Sequence, residues 1–179
     1  MKIQLRNRIL SMSVAALAFG AVSPAYAYSV YRSVTANPAT GVVLWNKDNF
    51  GVSGNPPTLS FFYFETDDAA RAGLPNAQCF VKVDLPDADA PEPGAEANVG
   101  NADISVNAQP GDLPKPFPWV ITFDNDPAGH WSIARSQITD ATTNAAASRV
   151  AASGFQSLAT TVGSYVGVIA GTLATCAAQ

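Results

Sequence analysis

The segment Asp124-Asn125-Asp126-Pro127-Ala128-Gly129-His130-Trp131 brings two carboxylates and the chain's single imidazole within seven residues. An aspartate beside a histidine is the minimal arrangement for orienting an imidazole as a general base, and Trp131 would offer an apolar platform next to it. The segment also opens like a calcium loop, but Ala128 stands where a third oxygen ligand belongs and no Glu follows at the required spacing. Asn and Asp in such a run equally make a plain turn through local backbone hydrogen bonds.

Counting excludes most other chemistry. With His130 as the only histidine, neither H-E-x-x-H nor a multi-histidine zinc site can be built. The nucleophile elbow G-x-S-x-G, the Walker A loop and the dinucleotide-binding G-x-G-x-x-G are absent from the sequence. Glu65 with Asp67 or Asp68 is a carboxylate pair of the kind that hydrolyses glycosides, a chemistry set by spatial separation. Trp45, Trp119 and Trp131 would stack on sugar rings if exposed, whereas the block Phe61-Phe62-Tyr63-Phe64 reads as core. No catalytic, cofactor-binding or metal-ligating residue is assigned on this basis, and the chain leans away from being an enzyme.

Cys79 and Cys176 are the only cysteines, and no C-x-x-C arrangement is present to lower a thiol pKa. An even count in an oxidising compartment predicts one structural disulfide between them.

That compartment is predicted by the N-terminus. Lys2, Arg6 and Arg8 precede an apolar run from Ile9 to Val22, and Ala25-Tyr26-Ala27 supplies the small residues of a cleavage site. Residues 1–27 are therefore expected to be a cleaved export signal of bacterial type, with the product in the periplasm, at the cell surface or outside. Cleavage leaves seven basic against fourteen acidic residues, a net charge of −7, and the basic ones are scattered singly. Nucleic acid demands clustered Lys and Arg, so that role is rejected.

The elements that must position these residues read as mainly β, an antiparallel sandwich or small barrel with a C-terminal Ala/Gly-rich helical segment; α+β is the alternative. Strands are expected at Tyr28 to Val34, Gly41 to Trp45, Thr58 to Glu65, Cys79 to Leu85, Trp119 to Phe123 and His130 to Ala134, from alternation and aromatic runs between turn residues. No helix is expected between them. Residues 28–135 form this β-rich domain. Within it, 85–118 is expected to be an acidic, Pro-rich loop, because proline removes ladder donors and like charges repel, with a short edge strand at Ala102 to Asn107 as its one interruption.

Residues 136–179 form the C-terminal segment tied back by the disulfide. Asp140 is expected to cap a helix through Ala145 to Ala152 that stops at Gly154. Beyond it, Phe155, Leu158, Val162, Tyr165, Ile169, Leu173 and Cys176 recur at helical spacing, yet the β-branched residues and interior glycines suit strands as well. Gly163, Gly167 and Gly171 form two G-x-x-x-G steps in a stretch of 30 uncharged residues from Val150. They are expected to allow close packing inside the domain; self-association or membrane attachment through helix contacts is the alternative. The resulting expectation is an exported, non-enzymatic protein, structural, adhesive or ligand-binding, with a second copy, another protein or a glycan as partner. The competing readings are self-assembly through the glycine tail and a small periplasmic hydrolase working from the Asp124 to His130 turn.

Overall fold

The computed structural model describes residues 28–85, 92–104, 115–138 and 142–179; residues 1–27, expected to be an export signal, Asp140 and parts of the acidic stretch lie outside them. Its strands are β1 (Tyr28–Val34), β2 (Thr58–Tyr63), β3 (Cys79–Leu85), β4 (Glu96–Ile104), β5 (Lys115–Phe123), β6 (His130–Ala134) and β7 (Val166–Ala170). Two α-helices accompany them, α1 (Asp67–Gly73) and α2 (Asn144–Thr160). The strands form one sheet in the order β4-β5-β6-β2-β1-β3-β7, every pair antiparallel. The chain is thus mainly β, as its alternation implies, but as a single sheet curled into a half-barrel rather than two stacked sheets. The curl brings β4 into contact with β3.

Alternation decides which side chains enter the concave side. On β3, Cys79, Val81, Val83 and Leu85 join the main core with Val30 and Val34 of β1, Leu59 and Phe61 of β2, and Trp131 and Ile133 of β6. Helix α2 fills the concavity with small residues, among them Ala147, Ala151, Ala152 and Gly154, which let its backbone come close to the sheet. Phe155 is its anchor, with ring centroids 5.2 Å from Phe61, 5.4 Å from Trp119 and 5.8 Å from Phe50. On the opposite face α1 covers a smaller cluster of Tyr31, Ala70, Ala77 and Phe80.

Several expectations change. The N-cap of α2 is Thr143, whose hydroxyl accepts from the Ala146 amide at 3.2 Å, so the helix does not start from Asp140. It runs through the buried Gly154 to Thr160 because burial of Phe155 and Leu158 outweighs the roughly 1 kcal/mol that glycine costs a helix. The helical stripe then ends: Gly163 has φ 78°, and Val166–Ala170 is a strand. The G-x-x-x-G steps therefore never lie on a helix. The 85–118 loop is likewise not one loop, since β4 and β5 occupy much of it and pair from Glu96↔Thr122 to Ile104↔Lys115. Gly41 to Trp45 makes only isolated bridges, Ala36↔Val43 and Val42↔Ala177. Helix α1 is an addition, capped by Thr66, whose hydroxyl accepts from Ala69 at 3.1 Å, with Asp67 and Asp68 in its first turn.

Cys79 and Cys176 form the disulfide, 97 residues apart in sequence and 6.0 Å apart at Cα. It fixes the C-terminal tail to the start of β3, where Cys79 pairs with Val34 at the end of β1. There the Ala177 amide donates to Gly41, the Val43 amide to Ala177, and Trp45 Nε1 to the Ala178 carbonyl at 2.7 Å. Gly41, at φ 70°, lies so close to the Thr175 carbonyl that no Cβ would fit, and a Cβ on Gly171 would collide with the Ala77 carbonyl. Of the three tail glycines Gly171 alone makes a close approach; Gly163 and Gly167 face open space.

Candidate functional site

The Asp124 to His130 segment is the turn joining β5 to β6, and its backbone closes on itself. The Asp124 and Asn125 amides donate to the His130 carbonyl, and the His130 amide donates to Pro127 at 2.9 Å. Asn125 takes a left-handed φ of 53°, which its short polar side chain tolerates, and its Oδ1 accepts from the Gly129 amide at 2.8 Å. The result holds the Asp124 carboxylate against the imidazole, with Oδ1 2.5 Å from Nδ1. Nδ1 therefore carries the proton in the neutral ring, and Nε2 is left as the acceptor.

The ring is 6% exposed and packs edge-on against Phe62 at 5.3 Å between centroids. Trp131 does not flank it. Successive strand residues face opposite ways, so Trp131 enters the core beside Phe123, fully buried, while His130 faces out of the concavity. Ser132 lies on the same face two residues along the strand, and no hydrogen bond joins it to the imidazole. Among the described residues the pair thus resembles the base half of a hydrolytic site, with no nucleophile hydrogen-bonded to the imidazole.

The other sequence candidates are dispersed. Asp67 accepts from Tyr31 Oη at 2.8 Å and pairs with Lys82 at 3.2 Å, while Asp68 pairs with Arg71 at 2.7 Å. Asp67 thus holds α1 to the sheet, whereas the Asp68 pair lies within α1 itself. Trp119 is 1% exposed and Trp131 0%, so neither can stack on a sugar ring. Trp45 is half-buried and lies parallel to Phe50 at 5.2 Å. The Phe61 to Phe64 block divides by alternation, with Phe61 fully buried and its three successors half-buried. Among the described residues no three His, Cys, Asp or Glu side chains converge as metal ligands.

A polar cluster that spacing did not single out lies on the α1 face. Lys82 bridges Asp67 and Asp84, the latter at 3.4 Å, and Ser29 Oγ donates to Asp84 at 2.7 Å. The Lys82 ammonium also sits 5.9 Å over the Tyr31 ring. Burial and then the bond to Asp67 push the Tyr31 hydroxyl well above its usual range. Burial acts upward on Asp67 too, but Tyr31 and Lys82 outweigh it and hold the carboxyl below its ordinary value. The signal was alternation: β1 and β3 place Tyr31, Lys82 and Asp84 on one face.

Arg32 is the other unexpected feature. Its guanidinium lies on the concave side, 5.9 Å over the Phe50 ring, and donates through Nε to the Asn49 carbonyl and through Nη1 to the Ser60 carbonyl, both at 2.7 Å. No carboxylate pairs with it among the described residues, and burial lowers its pKa to about 10. A cleft of about 340 Å³ lies between Pro56, Pro57, Ala134, Arg135, Ser136 and Ile138. Comparison with known protein families, characterised proteins and solved structures returns no match for this chain.

Proposed function

We propose that the protein is an exported, non-enzymatic component, a disulfide-locked structural or binding domain of the bacterial periplasm or cell surface. The observation that carries this reading is where the reactive side chains are placed. Asp124 and His130 fasten the β5–β6 turn, Asp67 and Lys82 fasten α1, and Arg32 fastens the Asn49 loop to the sheet. The Cys79–Cys176 bond supports maturation in an oxidising compartment. Among the described residues no helix is long and apolar enough to cross a membrane.

The 2.5 Å contact between His130 and Asp124 favours one competing reading, a small hydrolase. One experiment separates them: wild type, Asp124→Asn and His130→Ala are assayed against ester and glycan panels while their melting is followed. The structural reading expects no turnover in any of the three, with His130→Ala destabilised by about 1–3 kcal/mol from the lost buried contact. Turnover by the wild type that both variants abolish overturns it. Export is checked by the mass of the mature chain, expected to begin at Tyr28 with no free thiol.

A further inference from the structure

The sheet is open, and its two edges are unlike. Edge strand β4 carries Glu96 and Asp103 and a register shift between Asn98 and Gly100, features that blunt an edge against further pairing. Edge strand β7 reads Val-Gly-Val-Ile-Ala, without charge, proline or register shift.

The β3–β7 ladder fixes which backbone groups of β7 face outward. The Asp84 amide donates to the Tyr165 carbonyl and the Gly171 amide to the Gln78 carbonyl, so 165, 167, 169 and 171 are the residues bonded to β3. Val166, Val168 and Ala170 point their N–H and C=O groups away from it. Two of these six groups are already satisfied: the Val166 amide donates to Ser164 Oγ at 3.1 Å, and the Ala170 carbonyl accepts from Arg71 Nε at 3.0 Å. The Val166 carbonyl, both groups of Val168 and the Ala170 amide have no partner among the described residues.

We infer that this edge pairs with β7 of a second copy of the chain, antiparallel about a two-fold axis at Val168. The four open groups are self-complementary about that axis. Val168 exchanges both hydrogen bonds with Val168 of the second copy, and each Ala170 amide meets the opposite Val166 carbonyl. The same pair brings the Val166 amide toward the opposite Ala170 carbonyl, but these two groups are already bonded within each chain, so the pairing rests on the four open ones. No charge opposes the pairing, because the nearest cation, Arg71, sits at the Ala170 end. The two arginines would lie about 14 Å apart along the strand, more than a Debye length at physiological salt. This mode differs from helix packing through glycine, and makes a continuous sheet across both copies.

Sedimentation of the oxidised protein over a range of concentrations, with amide exchange read at the same concentrations, tests the inference. The expected result is a reversible monomer–dimer equilibrium in which the Val168 and Ala170 amides become protected as dimer accumulates. Val168→Pro removes an outward donor and no bond to β3, and an edge strand tolerates proline there. It should lower the association constant at least tenfold with the disulfide intact. A protein that stays monomeric throughout, or a dimer in which the Val168 amide exchanges freely, overturns the inference. The amide measurement decides the matter on the wild type even if the proline variant fails to fold.

Discussion

A buried guanidinium held by carbonyls rather than a carboxylate is an uncommon choice, and Arg32 makes it because its neighbours on the concave side are a backbone loop and a phenyl ring. Removing it strands two acceptors and leaves space over Phe50, so Arg32→Ala is expected to destabilise by about 2–4 kcal/mol, read as a shift of the urea midpoint at constant slope. Asp67 gives a pH signature. Its folded pKa lies below the ordinary 3.8, so its contribution to stability is present above that value and is lost as pH falls through the folded value. Tyr31, raised from 10.0, contributes below that pH and loses the contribution as pH rises above it. Asp67→Asn should flatten the acid limb of a stability–pH curve, and an unchanged limb would assign the acid sensitivity to other carboxylates.

The elements show how far pattern reading reaches. Strands β1, β3 and β6 were legible to the residue because apolar and polar residues alternate along each, although β6 is buried on both faces. Helix α1 was not, since seven residues give too few turns for a period, although Thr66-Asp67-Asp68 followed by Arg71 is a capped, charge-matched turn in hindsight. The acids and prolines of 85–118 hid β4 and β5 because they mark an edge as readily as a loop. In the tail, Phe155 and Leu158 belong to α2 and Ile169 to β7, and spacing could not find the break, which Gly163 makes by conformation. The candidate site was half legible: the turn was found, but the divergence of His130 and Trp131 follows from their being on a strand, and the Tyr31–Asp67–Lys82 cluster depends on α1. Phe155 is where α2 meets three aromatic rings, so Phe155→Ala is expected to cost about 3–5 kcal/mol, measurable by chemical denaturation.

For the molecule as a whole, the sheet order places the last strand beside the third, β3, and the disulfide closes a loop of 97 residues. Cross-linking so long a loop restricts the unfolded chain strongly, and replacing both cysteines by serine should lower stability by about 2–5 kcal/mol. A double variant as stable as the wild type would show that strand pairing alone holds the tail. The indole of Trp45 supplies an optical record of the same event. Its N–H is bound to the Ala178 carbonyl and its ring is only partly covered, whereas Trp119 and Trp131 are shielded in the core. Detachment of the tail would wet one fluorophore of the three, so a reductant titration should red-shift part of the emission before the β-sheet dichroism changes, giving the protein an intrinsic reporter of its own redox state.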